Sequence, residues 1–279
     1  MSQRFAYLVA EGVTDVTLIT AVLKKFHGLT QVAKIQSLDA GIANWLDDKS
    51  YSWPVGGDIS RHAVPAPVFL QDDDRIVAVC NARGIKRIGM QLERDFEALS
   101  RPGGRLPVAV GIVLDSDGEL DSDGVAPSDR FASACEVFRT NVVQEFNLDF
   151  PMPTETDNVA VSPEMRFGVF VIPGGDRPGT LEDVLLPLGK TRFPKLFDRA
   201  ETFVRDCVRE SVLDAADGRE LRKPKGPDKA TISAAVSLLK PGKNINASLQ
   251  DNDWLPDDPE NSPIASLNAF LGDLIRPDG

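Results

Sequence analysis

Residues 108–114, VAVGIVL, form the most apolar run of the sequence and end directly at Asp115. The run contains no charged residue, so it lacks the alternation of apolar and polar residues that a half-exposed strand shows. An unbroken apolar run of this length is typical of a central parallel strand whose two faces are both covered by helices. The stretch therefore predicts a buried parallel sheet, with Asp115 at the carboxyl end of one of its strands.

The segments on either side alternate between predicted strands and helices. Residues 5–10 are apolar and β-prone, and the turn Glu11-Gly12 leads from them into a helical spacing of apolar residues. Further strands are predicted at 32–38, on both sides of the turn at 72–74, and at 167–172; helices are predicted at 85–99, 129–146, 181–188, 193–211, 228–239 and 262–275. This order predicts an α/β fold, with a mostly parallel, Rossmann-like sheet flanked by helices and a helical C-terminal part.

The composition limits the classes of function that fit. The formal net charge is −11, and the sequence has two histidines and three cysteines without a CxxC pair. Proteins that bind nucleic acid unaided carry a broad positive surface, so this balance argues against a stand-alone, high-affinity DNA-binding protein. It fits an enzyme that a partner brings to its substrate. The cysteines are far apart, and the sequence shows neither an apolar run that could span a bilayer nor a secretory signal. These features predict a cytoplasmic protein.

Carboxylates follow two of the predicted strands. Glu11 comes at the end of the first strand with Asp15 one helical turn later, and Asp115 and Asp117 directly follow the central strand. The carboxyl ends of neighbouring parallel strands meet at one edge of a sheet, so these four side chains share a crevice if the two strands are neighbours. Clustered carboxylates raise one another's pKa, and a divalent cation with a preference for oxygen ligands relieves this repulsion. The pattern predicts a Mg²⁺ or Mn²⁺ site.

Each acidic segment alone has a simpler interpretation. A Glu-x-x-x-Asp pair at a strand-to-helix turn is often a helix cap or a surface pair, and the stretch DSDGELDSDG at 115–124 is often a solvated acidic loop. The loop also resembles a calcium-binding loop, but the EF-hand spacing is not met because the last ligand position, counted from Glu119, is Arg130. Only the combination, with each segment placed after an apolar strand, is specific.

The segments EGVTD at 11–15 and VLDSD at 113–117 together resemble the TOPRIM motif of topoisomerases, bacterial primases and OLD-family nucleases. In that motif a Glu follows the first strand and an Asp-x-Asp follows a later one. The resemblance implies a TOPRIM-like α/β domain over residues 1–180, in which Glu11 and Asp115 hold one Mg²⁺ while Asp117 and Asp15 hold or orient a second. It also implies that Glu11 acts as a general acid or base if it is not a fixed ligand.

Two later segments resemble small stand-alone, OLD-like TOPRIM proteins. The stretch VIPGGDRPGTLEDVLL at 171–186 implies that Glu182 and Asp183 complete a second metal site, and GPDKATISAAVSLLKPG at 226–242 implies that Lys229 lies beside the scissile phosphate. The mostly helical part at 181–279 would thus complete the site. The alternatives are an ordinary helix start, with Thr180 as N-cap and acidic residues in the first turn, and a solvated Lys229.

The resemblance implies a Mg²⁺-dependent nuclease that hydrolyses phosphodiester bonds in DNA or in structured RNA such as tRNA. Small proteins of this kind are often encoded with a P-loop ATPase and act in anti-phage defence. The expected partners are therefore nucleic acid, such an ATPase and a second copy of the chain, with no membrane. The sequence departs from the family pattern in an insertion at 49–75 and at Asp176, where the pattern has Asp-Asn.

Three other functions are alternatives to the nuclease. An acidic protein that mimics nucleic acid requires negative charge spread over one face, whereas here the carboxylates cluster at strand ends. A non-catalytic TOPRIM-like module that binds a protein partner uses the acidic pocket for structure or regulation, and Mg²⁺-dependent cleavage separates it from a nuclease. A topoisomerase is disfavoured because that reaction needs a tyrosine nucleophile and the chain has just Tyr7 and Tyr51.

Overall fold

The computed structural model describes residues 3–47, 67–116, 127–148, 150–175 and 177–276. Within these residues seven strands form one sheet: β1 (Arg4–Ala10), β2 (Thr30–Gln31), β3 (Val68–Gln71), β4 (Arg75–Asn81), β5 (Ala109–Asp115), β6 (Val159–Val161) and β7 (Arg166–Ile172). Their order across the sheet is β2-β3-β4-β1-β5-β7-β6. The four central strands are parallel, and the pairs β2–β3, β3–β4 and β6–β7 are antiparallel. The predicted α/β fold class is confirmed.

The helices lie on both faces of this sheet. They are α1 (Val13–His27), α2 (Ala40–Asp47), α3 (Ile88–Ser100), α4 (Pro127–Phe138), α5 (Leu181–Arg192), α6 (Pro194–Arg209), α7 (Gly226–Leu239), α8 (Ile245–Asp251) and α9 (Ala265–Ile275). A π-helical segment, Arg139–Gln144, continues α4, and short 3₁₀ turns occupy Ile35–Ser37 and Ile85–Arg87. The helices α1 and α5 to α9 contribute to the core on one face, and α2, α3 and α4 contribute to the core on the other.

Most of the predicted elements are confirmed, and one strand is wrong. The apolar pattern at 32–38 predicted a strand, but β2 ends at Gln31 and a 3₁₀ turn follows. Val32 and Leu38 are buried, whereas most residues between them are exposed. The apolar pattern therefore marks two points where a surface segment is anchored to the core. Two anchor points need no continuous strand between them.

The central strand lies directly beneath the last helix. A Cβ atom at Gly111 of β5 would come within 2.4 Å of Leu8 Cδ2 and 2.6 Å of Leu274 Cδ2. Only glycine permits this close approach of a helix to a strand. Gly168 of β7 has the same role beneath Phe270, whose ring atom Cε2 would lie 2.6 Å from an added Cβ. The last helix is thereby packed onto β5, the strand that ends at Asp115, and onto its neighbour β7.

The sheet topology creates a crevice between β1 and β5. These strands are parallel neighbours, with Ala10 opposite Val113. The helix after β1 lies on one face of the sheet, and α4, which comes after β5, lies on the other. Chains that leave neighbouring strands in opposite directions open a crevice at the carboxyl ends, where ligands of open α/β sheets bind. Within the described residues, no helix combines the length and apolar character that crossing a membrane requires.

Candidate metal site at the carboxyl ends of β1 and β5

Glu11 is held by backbone hydrogen bonds on both sides. Its N–H donates to the carbonyl of Val113 at 3.1 Å, and its own carbonyl accepts from the N–H of Gly84 at 2.9 Å. The first contact continues the β1–β5 ladder, and the second fixes the loop that follows β4. The peptide of Glu11 is therefore a rigid part of the crevice, as expected for a residue that must present its carboxylate in one direction.

Asp15 is a buried carboxylate in the first turn of α1. Its side chain is 5% exposed, and Oδ2 accepts a hydrogen bond from the N–H of Gly12 at 2.7 Å. The other oxygen, Oδ1, is buried without a hydrogen-bond partner among the residues that the structure describes. Burial, and after it the negative charges of Glu11 and Glu182, together raise the pKa of Asp15 to about 7 against the opposing Gly12 hydrogen bond. The helix-cap alternative is thus satisfied by one oxygen only, and the other is left for a ligand.

Asp115 and Ser116 connect the end of β5 to the loop that precedes α5. Asp115 pairs with Ile172 of β7, and the Ser116 N–H donates to the Ile172 carbonyl at 3.2 Å. The Ser116 side chain is fully buried; its hydroxyl donates to the Gly179 carbonyl and accepts from the Gly179 N–H, both at 2.6 Å. Sequence analysis missed this serine, although a small hydroxyl residue between two aspartates at a strand end was the available signal. Asp117, the other aspartate, lies outside the described residues.

Glu182 and Asp183 lie in the first turn of α5 and have different surroundings. The side chain of Glu182 is 17% exposed, and its charge acts on Asp15. Asp183 uses both of its oxygens within the protein. Oδ2 accepts from the N–H of Thr180 at 2.8 Å, and Oδ1 accepts from Lys225 Nζ at 2.6 Å. Asp183 thus has the helix-start geometry of the alternative interpretation, and it also joins α5 to the residue that precedes α7.

Lys229 lies on the first turns of α7, close to the acidic residues. Its Nζ is 3.8 Å from Glu182 Oε1, and its side chain is 63% exposed. An exposed ion pair at this distance contributes little free energy, so it constrains Lys229 weakly. Lys229 thus has the exposed side chain that the alternative interpretation of a solvated lysine predicts.

The structure brings together most of the carboxylates that the sequence predicted. Glu11, Asp15 and Glu182 share one electrostatic environment, and Asp115 ends the strand next to Glu11. Among the described residues, no group of three or more carboxylate, histidine or cysteine side chains is arranged so that it could hold a metal ion. The donors nevertheless fit Mg²⁺, because it takes one or two carboxylates and completes its shell with water and phosphate. The buried Oδ1 of Asp15 is a donor of this type.

A second feature that sequence analysis missed borders the crevice on the side of β4. The loop after β4 has the sequence ARGIKR, residues 82–87, and follows the register pair Ala10–Asn81. Arg83 has a φ of 61°, and its N–H is held by Asn81 Oδ1 at 2.8 Å. Three exposed cations lie on this loop: Arg83, Lys86 and Arg87. The signal in the sequence was three basic residues at the end of an apolar strand.

The family comparison concerns nearly the whole chain. A family described as "Protein of unknown function (DUF3226)" matches residues 6–276. The chain belongs to this family. The DUF3226 chain is also similar to a crystal structure of the hypothetical protein PH0156 from Pyrococcus horikoshii OT3, at 15% identity and a TM-score of 0.45, over 98% of this chain and 95% of that one. No curated protein matches it.

Proposed function

We propose that this DUF3226 protein is a Mg²⁺- or Mn²⁺-dependent nuclease that hydrolyses phosphodiester bonds in DNA or structured RNA. The observation that carries the proposal is Asp15, a buried carboxylate whose pKa is raised to about 7 beside Glu11 and Glu182 at the carboxyl ends of parallel strands. A protein gains nothing in stability from packing like charges together. A bound divalent cation offsets this cost, and its place at the crevice of an open sheet is where substrates bind.

The residues of the proposed site divide into metal ligands and residues that position those ligands. Glu11 and Asp115 are the proposed holders of one cation, and Asp15 and Glu182 contribute to a second, together with Asp117, which lies outside the described residues. Bound by these residues, the cations would supply Lewis-acid activation of water and offset charge on the phosphate. Glu11 either binds a cation or exchanges a proton with the water. The TOPRIM resemblance of EGVTD and VLDSD supports the same assignment.

The surrounding residues position these groups. Ser116 holds the loop that carries α5 against the end of β5, which places Glu182 over the crevice. Asp183 acts as a positioning residue in this proposal, because it fixes the start of α5 and pairs with Lys225. Lys229, on the next turns, then offsets negative charge that develops on the scissile phosphate.

The ion pairs between α5 and the start of α7 favour one other function. Lys225 forms a 2.6 Å ion pair with Asp183, and the exposed Lys229 lies 3.8 Å from Glu182 within the protein itself. An acidic pocket bordered by its own lysines is also what a non-catalytic, partner-binding module would show. The resemblance implies a P-loop ATPase partner and a role in anti-phage defence, and both are compatible with either function. The free cysteines are compatible with a cytoplasmic setting.

Cleavage of a mixed substrate set tests the proposal. Plasmid DNA, single-stranded DNA and total tRNA are incubated with the purified protein in Mg²⁺, Mn²⁺ or EDTA. Wild type is compared with Glu11→Gln and Asp115→Asn, each of which removes one negative charge. Glu164→Gln is the matched control, because Glu164 is exposed and precedes the amino end of β7.

We expect metal-dependent cleavage by wild type and Glu164→Gln, and a loss of roughly 100-fold or more in the two site variants. Cleavage by Asp115→Asn at the wild-type rate would contradict the site assignment. Cleavage in EDTA would contradict the metal requirement. If wild type cuts none of the three substrates, co-purification of partners with wild type and Glu11→Gln separates a partner-dependent nuclease from the binding module.

A further inference from the structure

The loop after β4 carries positive charge that no ion pair among the described residues neutralises. Arg83, Lys86 and Arg87, here called the basic loop, are exposed, and none of them forms an ion pair within the described part of the chain. The sequence holds 42 acidic against 31 basic residues, so carboxylates are in excess. Other cations, including Lys25, Lys190 and Arg192, have carboxylate partners within 3 Å. Three neighbouring uncompensated cations repel one another unless an anion lies over them.

Backbone hydrogen bonds place the basic loop beside the acidic crevice. The Ala82 N–H donates to the Ala10 carbonyl and the Gly84 N–H donates to the Glu11 carbonyl, both at 2.9 Å. Arg83 lies between these two contacts, so its backbone runs alongside the peptide of Glu11. Its φ of 61° is uncommon for a residue with a side chain, and such conformations cluster at functional sites. The loop is therefore a fixed border of the crevice on the β4 side.

Two further lysines lie near the carboxylates, away from the basic loop. Lys225 and Lys229, at the start of α7, are paired with Asp183 and Glu182 at the start of α5. Cationic side chains thus lie near the carboxylates both on the loop after β4 and at the start of α7. A polyanion that crosses the crevice would meet these cations near the proposed metal site. Arginine suits such contacts because its guanidinium group can bind a phosphate through two parallel hydrogen bonds.

We infer that the basic loop binds the phosphodiester backbone of the nucleic acid that flanks the scissile phosphate. This inference rests on the proposed function, and it assigns the loop the task of holding the polymer in register without reading its sequence. It also reconciles a net charge of −11 with a nucleic-acid substrate. The basic loop supplies positive charge at the border of the crevice, where the neighbouring phosphates of a cleaved strand would lie.

Binding measured without cleavage tests the inference. Fluorescence anisotropy is recorded in EDTA with a short mixed-sequence DNA duplex and with total tRNA, at rising KCl concentration. The variant Arg83→Gln/Lys86→Gln/Arg87→Gln removes three positive charges from the basic loop. The control Lys24→Gln/Lys243→Gln/Arg276→Gln removes three charges elsewhere. Lys24 lies in the last turn of α1, Lys243 follows the carboxyl end of α7, and Arg276 follows α9 near the amino end of β7, where Arg166 contacts Asp273. All three therefore lie away from the crevice.

We expect the basic-loop variant to lose about tenfold or more in affinity for at least one polymer, and the slope of log K against log salt to fall by roughly 2–3. The control should keep wild-type affinity within about twofold, since its charges lie away from the crevice. Whether duplex or tRNA shows the effect identifies the polymer. Equal losses in the two variants, or a basic-loop variant with the wild-type slope, would overturn the inference, as would a wild type that binds neither polymer at low salt.

Two further measurements separate nucleic-acid binding by the basic loop from the competing explanations. Polyglutamate that displaces the nucleic acid as readily as unlabelled DNA does would show that the loop recognises acidic protein, which also overturns the inference. Asp115→Asn should retain the loop-dependent binding while it loses cleavage. Loop-dependent binding by a protein that never cleaves would thus support the basic loop while it contradicts the nuclease. Cleavage at the same rate by wild type and the basic-loop variant would support the nuclease and contradict the role of the basic loop.

Discussion

Asp15 and Asp95 show how two buried carboxylates of one protein can have different roles. Asp95 is 1% exposed, but it accepts hydrogen bonds from the Tyr7 hydroxyl at 2.7 Å and from Gln91, and it pairs with Arg94. Burial raises the pKa of Asp95, and these donors oppose the rise. Asp15 has the Gly12 N–H as an opposing donor and two carboxylates close by. A satisfied carboxylate is structural, whereas one left beside like charges is suited to a cation.

The environment of Asp15 leads to a prediction about pH. Its pKa in the folded protein, about 7, lies above the ordinary value of 3.8, so the folded state holds the proton more tightly than the unfolded chain does. The stabilisation from protonated Asp15 is complete below about pH 4 and is lost as the pH rises toward about 7. The difference amounts to about 4 kcal/mol at most, since each pKa unit is about 1.4 kcal/mol.

Replacement of Asp15 by Asn removes this pH dependence. In urea unfolding with EDTA, we expect Asp15→Asn to be more stable than wild type by a few kcal/mol at about pH 8 and nearly equal to it at about pH 4. The difference between the two proteins isolates Asp15 from other titrating groups. Glu164→Gln, a change at an exposed side chain, should show no such trend. A difference that stays constant across this range would contradict the assigned environment of Asp15.

At the scale of elements, the site depends on how β5 is joined to α5. Ser116 spans this junction through two hydrogen bonds to the Gly179 peptide, and Thr180 and Asp183 then begin the helix. The start of α5 is in turn tied to α7 through Lys225. Glu182 is therefore placed by a chain of contacts that begins at the end of the central strand. A loose junction would displace Glu182 without any change in the acidic residues themselves.

The Ser116→Ala variant tests this junction. It leaves a buried N–H and a buried carbonyl of Gly179 without their partner, and we expect a loss of about 1–3 kcal/mol in the free energy of unfolding. Cleavage should fall as well, because α5 carries Glu182. Ser100→Ala is a suitable control, since the Ser100 hydroxyl contacts an exposed carbonyl of its own helix and its loss should cost less than about 0.5 kcal/mol. Equal stability of the two variants would show that the junction does not depend on Ser116.

For the whole molecule, the acidic crevice predicts stabilisation by divalent cations. A cation that binds the folded state alone raises the free energy of unfolding by about 2.7 kcal/mol at a concentration one hundred times its Kd. Calorimetry above neutral pH should show a higher Tm in Mg²⁺ than in EDTA for wild type and Glu164→Gln. For Asp115→Asn the increase should be largely absent. An identical Mg²⁺ response in Asp115→Asn and wild type would place any bound cation elsewhere in the protein.

Much of the fold could be predicted because strands and helices depend on the pattern of apolar and polar residues that are close in sequence. The run at 108–114 is apolar since both faces of β5 are covered, and the positions of Glu11 and Asp115 at strand ends follow from where the apolar runs stop. The prediction of a strand at 32–38 was wrong because the apolar residues that anchor this surface segment give the same sequence pattern as a short strand. The N-cap alternative at Thr180 and Asp183 was visible for the same local reason, since a helix start is set by neighbours a few residues apart.

The sequence by itself determined most of the segments that form strands and helices, and that acidic residues follow two of the strands. Only the tertiary structure decided that β1 lies between β4 and β5, because the pairing of distant strands depends on the packing of the whole sheet. That single arrangement buries Asp15 beside Glu11 and Glu182, and it brings the basic loop to Glu11. Burial and long-range contact set the pKa of a carboxylate and the surroundings of a cation, so neither could be inferred from residues that are neighbours in sequence alone.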